Sequence, residues 1–299
     1  MMNLSAKHIG YVKTLWQEQL DDIRKYRREV LEKKKEESLH QLRIAIRRSI
    51  VLMDIFRDSQ MEDVLKHHRK YLKQIITLSN TARDMDVMRA HIILLGQKKK
   101  KKSERMAALF DKRLAKRQKK AYKKLFHFLE SDLLLDQLLS WESYLHTGNT
   151  KEDDITAAGE FKHITDAVIG TYFSEISKDI AKLRTQRYPE TKALHKLRIA
   201  YKKLRYLLES FTHLYDRQTI EIVLKQMKKM QNVLGGWHDV VQQKHIVKCL
   251  IKEEKDRHLR YYLRKKILPI LKKEEKKRYK KVEKRLQKYV ETFQTLFKS

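Results

Sequence analysis

Apolar residues recur along this chain every three or four positions, the spacing of one face of a helix, over almost its whole length. Alternating β-branched runs bounded by Asn-Gly or Pro-Gly turns, the signature of strands, do not occur. The pattern predicts an all-α protein. Breaks are expected near Leu95-Gly96, through the polar stretch from Leu145 to Gly159, and at Tyr188-Pro189, Gly235-Gly236 and Pro269. The acidic segment from His146 to Glu160 reads as a connector, so residues 1–145 and 161–299 form two halves joined by 146–160.

The halves repeat one another. LHQLRIAIRRSIVLMDIF (Leu39 to Phe56) aligns with LHKLRIAYKKLRYLLESF (Leu194 to Phe211), preserving His40/His195, Leu42/Leu197, Arg43/Arg198 and Leu52/Leu207 among others. Arg47/Lys202, Arg48/Lys203 and Asp54/Glu209 keep their charge. The same offset pairs His8 with His163, Lys70 with Lys225, Lys73 with Lys228 and Asp84 with Asp239. Lys119-Lys120-Ala-Tyr122-Lys123-Lys124 resembles Lys276-Lys277-Arg-Tyr279-Lys280-Lys281 after a small insertion. Each half therefore carries the same ordered set of four helical segments, as duplication of a four-helix unit would produce; two copies are too few for a solenoid.

On a helical projection from His40, at about 100° per residue, Arg43, Arg47 and Asp54 fall near ~300°, ~340° and ~320°, while Leu42, Ala45, Leu52 and Met53 lie opposite. The second copy aligns His195, Arg198, Lys202 and Arg205 and closes on Glu209. A solvated face has no need to keep residue type between copies, whereas a surface that grips a repetitive ligand does. The acid ending each row is placed to hold a neighbouring Arg by ion pairing. Arg205 has Ile50 as its counterpart, so the first row is one cation shorter.

Charge makes the ligand anionic. The 299 residues contain 69 Lys+Arg against 38 Asp+Glu, a formal net charge of +31, far above the roughly 2–8 units typical of a small soluble domain. Arginine's planar fork bridges two anionic oxygens, and phosphate is the obvious anion. The single cysteine, Cys249, precludes an internal disulfide and suits a reducing cytosol. No apolar run approaches a membrane span, and the N-terminus lacks the apolar block of a signal peptide. Neither a Walker loop, a nucleophile elbow, an HExxH nor a dinucleotide fingerprint occurs. The scattered histidines do not suit zinc, and no cofactor is expected. Asp84 and Asp86 in RDMDV read as ion-pair partners of nearby arginines. The lysine run from Lys98 to Lys102 reads as a loop that attracts anions without defining a site.

The twin segments His40-Gln-Leu-Arg43-Ile-Ala-Ile-Arg47-Arg48 and His195-Lys-Leu-Arg198-Ile-Ala-Tyr-Lys202-Lys203-Leu-Arg205, with Arg83-Asp84-Met-Asp86-Val and Leu234-Gly235-Gly-Trp-His-Asp239-Val, resemble the signature of CHAD (conserved histidine α-helical) domains across essentially the whole chain. The glycine expected ahead of Arg83 is missing. The resemblance implies two pseudo-symmetric four-helix bundles with a basic surface or pore between them. It also implies binding of inorganic polyphosphate, with residence in the cytoplasm at polyphosphate granules. Polyphosphate has no bases, so its binder needs cationic rows and no stacking aromatics, unlike a single-strand nucleic-acid groove; Tyr201 and Tyr206 occur in one copy alone.

The sequence thus leads to a non-enzymatic polyphosphate binder. Its first contacts are His40, Arg43, Arg47, Arg48, His195, Arg198, Lys202, Lys203 and Arg205. Lys70, Lys73, Lys225, Lys228, His8 and His163 form a second tier, and Lys116, Lys120, Lys273 and Lys277 a third. The rival readings are an RNA- or DNA-binding helical protein and a polyphosphate-processing enzyme with a divalent metal on Asp84, Asp86 and Asp239. No membrane partner is expected, and the sequence leaves the oligomeric state open.

Overall fold

A computed structural model describes residues 5–33, 36–56, 58–96, 101–147, 154–186 and 190–296 of the chain. Side-chain surroundings are described over the same ranges except at 93–96, 101–103, 154–160 and 288–296. The described residues form helices and turns, with no strand. The helices are α1 (Ala6–Lys33), α2 (Glu36–Ile55), α3 (Glu62–Gly96), α4 (Lys101–Glu130), α5 (Asp132–His146), α6 (Asp154–Arg184), α7 (Thr191–Ser210), α8 (Arg217–Glu253), α9 (Arg257–Tyr262) and α10 (Leu268–Leu296).

Two predicted breaks do not appear as breaks. Helix α8 runs straight through Gly235-Gly236. Two interior glycines cost about 1 kcal/mol each relative to alanine, but Leu234, Trp237 and Val240 on either side are buried and hold that face of α8 in the core. Gly236 also meets a neighbour: a Cβ there would stand 3.0 Å from the Arg278 guanidinium. Pro269 is the second residue of α10, directly after a π-helical turn at Leu263–Ile267. Proline has no N–H to donate, and the widened turn ahead of it absorbs the mismatch without ending the helical path. Two boundaries that the periodicity missed are made by caps. Ser131 accepts from the Leu134 N–H to start α5, and Asp256 accepts from the N–H groups of His258 and Leu259 at 2.8 and 3.0 Å to start α9. Tyr188-Pro189 and the run from Lys98 to Lys102 lie outside the described residues or side chains, as does most of the connector.

The chain divides into two compact units. Unit 1 comprises 1–82, 120–173 and 203–222; unit 2 comprises 83–119, 174–202 and 223–299. Each unit draws on both halves of the sequence, because α3, α4, α6, α7 and α8 each contribute a segment to both. At 1.5 Å per residue a helix as long as α8, with 37 residues, extends about 55 Å, more than a single core can cover.

Unit 1 is centred on aromatic side chains from α1, α5 and α6 and from Phe56 and Phe211, which directly follow α2 and α7. Phe161 of α6 packs 5.9 Å from Phe56, 5.6 Å from Phe211 and 5.0 Å from Tyr11, and Trp16 bridges Phe56 to Trp141. Trp16, Phe56, Phe161 and Phe211 are each at most 1% exposed. In unit 2, Met88, Phe110, Leu114, Val247, Leu259, Leu263 and Leu271 form one apolar cluster that joins α3 and α4 to α8, α9 and α10. Leu42, Ala45, Leu52, Met53, Leu207, Leu208 and Phe211, the core positions read from the repeat, are all buried.

Candidate anion-binding site

In unit 1, α2 and the C-terminal part of α7 exchange charges reciprocally. Arg48 pairs with Glu209 at 3.3 Å, and Lys203 pairs with Asp54 at 2.9 Å. Position 48 corresponds to 203 in the sequence repeat, and 54 corresponds to 209. The equivalent cations thus each bind the other copy's acid, which requires these two segments to run antiparallel. Each carboxylate also takes a second cation: Arg205, one turn before Glu209, reaches it at 3.3 Å, and Arg69 of α3 pairs with Asp54. Asp54 is 8% exposed at its side chain, so its charge is spent on these two partners rather than on water.

Lys73, one turn after Arg69, completes the cluster from α3. Its amine is held below the usual lysine pKa, chiefly by burial and then by repulsion from Arg69 and Lys203, against the pull of Asp54. Five cations (Arg48, Arg69, Lys73, Lys203, Arg205) therefore share two carboxylates. Such a cluster is short of negative charge.

Next to it, Asn80 of α3 orders the start of the basic row. Its Oδ1 accepts from Arg43 at 2.8 Å and from Arg47 at 3.4 Å, while Arg43 also donates to Ser79 Oγ at 2.7 Å. Arg43 is 7% exposed, so the structure places it beneath the surface as a brace, while Arg47 is half-buried and can reach solvent. His40, Lys70 and Lys120 are exposed. His8 is turned inward, its ring 6.0 Å from Phe161 at the edge of the aromatic core, and its backbone N–H donates to Ser5 Oγ. His163 is exposed on α6, beside a shallow furrow formed with Ile164, Ala167, Val168 and Thr171.

Unit 2 holds the other row. His195 of α7 stacks on His238 of α8 with ring centroids 5.0 Å apart and planes 24° from parallel. Arg198 and Lys202 follow His195 on α7, both half-buried. Burial, then the neighbouring His238, Arg198 and Lys202, hold the His195 pKa below that of a free imidazole. Asp239 Oδ1 lies 4.0 Å from His238 Nδ1, and Lys196 pairs with Asp179 of α6 at 3.0 Å. Lys225, Lys228, Lys116, Lys273 and Lys277 are exposed.

Arg69 and His238 are the site residues that the sequence reading did not single out. The repeat offset gives Leu224 as the counterpart of Arg69, so a search for recurring cations passes over it; its i,i+4 spacing to Lys73 was the available signal. His238 corresponds to Arg83, a basic position in both copies.

The carboxylates proposed for a metal are dispersed. Asp86 is buried and accepts from Gln118 at 2.6 Å, within a network where Arg89 donates to Gln118 and, at 2.8 and 3.0 Å, to both oxygens of Asp111. Asp239 is half-exposed at its side chain. No group of three metal-ligating side chains occurs among the described residues. Nor is any helix among them long and apolar enough to cross a membrane.

The family model of the CHAD domain matches residues 14–248. The chain belongs to the CHAD domain family. That family is linked to polyphosphate binding and metabolism. Among solved structures, the chain is similar to the crystal structure of the CHAD domain from the plant Ricinus communis, with 20% identity, a TM-score of 0.66, and 91% of this chain and 93% of that one covered. It is also similar to PptA from Streptomyces chartreusis, with 12% identity, a TM-score of 0.69, and 94% and 98% covered. At these identities the likeness establishes the CHAD fold. A search of curated proteins returns no match.

Proposed function

We propose that this chain binds inorganic polyphosphate without turning it over, and that it does so at polyphosphate granules. The observation that carries the reading is the unit-1 cluster: five cations from α2, α3 and α7 around two carboxylates, with the tyrosines of α7 turned into the core. Tyr201 and Tyr206, the aromatics on the basic row of α7, are both buried and cannot stack on bases. Arginine forks and lysine point charges suit the oxygens of phosphate, and they offer nothing that reads a base edge. Family membership supports the choice of polyphosphate among phosphate polymers.

Calorimetric titration with polyphosphates of graded length, and with RNA as competitor, tests this. Long polyphosphate should displace RNA at matched phosphate concentration, and affinity should fall steeply with salt as counterions are released. Arg47→Ala combined with Lys73→Ala removes two cations that anchor no carboxylate at 3 Å, so the variant should fold and lose most of the affinity. RNA that polyphosphate cannot displace would make the protein a nucleic-acid binder. Phosphate release or nucleotide phosphorylation in the presence of magnesium would make it an enzyme.

A further inference from the structure

Helix α10 carries a second basic surface that the rows above do not use. Counted at about 100° per residue from Lys272, Lys276 lies near ~40°, Lys280 near ~80°, Lys273 near ~100°, Lys277 near ~140° and Lys281 near ~180°. All six are exposed, and Lys284 extends the face. The opposite side holds buried Leu271 and Val282. The acids of the segment are turned away as well: Glu274 accepts from Arg278 at 2.8 Å, and Glu275 pairs with Lys244 of α8. Glu283 is the one exposed carboxylate beside the lysines. Six ammonium groups are thereby spread over nine residue steps, a strip about 14 Å long at 1.5 Å per residue.

We infer that this lysine face of α10 is a second polyphosphate-binding surface, separate from the histidine pair of unit 2, so that one molecule can bridge two polyphosphate segments. The inference rests on the polyphosphate reading proposed above. Separateness follows from α10 itself. Arg278, on the inward side, lies against Gly236, two residues from His238 on α8. The lysines face the other way, so a chain lying along them does not touch the His195–His238 stack.

The chemistry of the face selects its occupant. From Lys272 to Lys284 it presents ammonium groups, with the Arg278 guanidinium on the inward side, so this stretch senses charge density rather than base edges. The large apolar side chains that are exposed among the described residues (Leu133, Leu139, Ile199, Ile222 and Tyr261) all lie off α10, so the described part of the lysine face offers no such side chain to a lipid surface or to a base. A flexible phosphate string can follow a straight lysine row. A duplex presents its phosphates along curved grooves and meets a half-buried helix at fewer points. The pattern also recurs: Lys119, Lys120, Lys123 and Lys124, the sequence counterparts on α4, are exposed too.

The test is titration of the full chain with long-chain inorganic polyphosphate while heat and light scattering are recorded together. Two phases are expected, the weaker one accompanied by scattering as molecules become bridged. Lys272→Ala, Lys276→Ala and Lys280→Ala together should abolish the weaker phase and the scattering, leave the tighter phase in place, and lower the overall salt slope by about 2, at roughly 0.7–0.9 per phosphate contact. The proposal is overturned if the triple variant keeps both phases or loses both. It is equally overturned if duplex DNA at matched phosphate saturates the weaker phase more tightly than polyphosphate does. A wild-type protein that shows no phase at all refutes the polyphosphate reading itself, an outcome distinct from the other three.

Discussion

Removing a negative charge from this anion-binding cluster should weaken anion binding. Asp54→Asn raises the net charge by one, and a bulk-charge argument predicts tighter binding. At about 8 Å in water-like surroundings one added unit of charge is worth about 0.5 kcal/mol, a two- to threefold gain. The geometry predicts the reverse. Asp54 holds Lys203 at 2.9 Å and pairs with Arg69, so both cations are fixed before the ligand arrives. Without the carboxylate they must be ordered during binding, at about 0.5–1.5 kcal/mol for each long side chain. The two together cost about 1–3 kcal/mol, which exceeds the Coulomb gain and leaves the variant roughly twofold to sixtyfold weaker, at 1.4 kcal/mol per decade. Fluorescence anisotropy with labelled polyphosphate at two salt concentrations reads this directly, with circular dichroism and a thermal melt to verify folding. Glu209→Gln should act in the same direction, because Glu209 holds Arg48 and Arg205 in the same way. Glu221→Gln is the control: that acid is 65% exposed, pairs within its own helix with Arg217, and its loss should raise affinity slightly. Tighter binding by Asp54→Asn would refute the positioning argument and reduce the cluster to bulk charge.

Three further outcomes follow from the same structure. His195 has a pKa held below the ordinary value in the free protein, and a bound polyanion raises it, so the complex takes up a proton; affinity should therefore increase as pH falls below about 6.5, and His195→Ala should flatten that dependence in titrations from pH 8 to 5.5. His68 is buried against Trp141 and has its pKa lowered to about 4, chiefly by burial, so its neutral form stabilises the fold above the unfolded value of 6.5. Stability should fall by about 1.4 kcal/mol per pH unit from pH 6.5 to 4, about 3 kcal/mol in all, and His68→Phe should remove that slope in urea titrations. Gly235→Ala meets nothing within 4 Å and should stabilise the protein by about 0.5–1 kcal/mol, whereas Gly236→Ala must push the Arg278 guanidinium aside and should gain less, as denaturant midpoints will show.

The periodicity was sufficient to read the helices and their core faces, because Leu42, Ala45, Leu52 and Met53 fall on one side of a helix whatever packs against it. It could not tell which cations reach the surface. Arg43 and Arg47 share a stripe only about 40° wide, yet Arg43 is buried because Ser79 and Asn80 of α3 lie above it, and nothing near Arg43 in the sequence announces them. Conversely, Arg48 projects off that stripe, and its long side chain still reaches Glu209 on another helix. The inward turn of His8 was equally invisible, since Phe161 is brought to it by the fold alone. The two glycines of α8 misled for a related reason: propensity is local, while the burial that overrides it is not. Residue type and spacing thus located the basic rows, and tertiary contacts decided which members brace and which are free to bind.

On the polyphosphate reading, this division explains why so basic a protein places two carboxylates among the cations of its unit-1 cluster. Five cations gathered without acids would repel one another by about 2–3 kcal/mol per pair at 6 Å and an effective dielectric near 20, several pairs' worth in total. That exceeds what a marginally stable domain can absorb, since net stabilities run about 5–15 kcal/mol. Two carboxylates relieve much of the repulsion, and because each is shared by cations from two different elements or turns they also set the spacing. The five cations keep a surplus of three charges over the two acids, and a third acid would cut that surplus to two and weaken the attraction for phosphate. On α10 the opposite solution holds: Glu274 and Glu275 are drawn inward to Arg278 and Lys244, and the exposed lysines spread along the helix rather than converging, so their repulsion is screened by water and salt. The convergent arginine-rich cluster can therefore hold a phosphate chain in a fixed geometry, whereas the lysine face can only collect one, and salt should separate the two by releasing the face first.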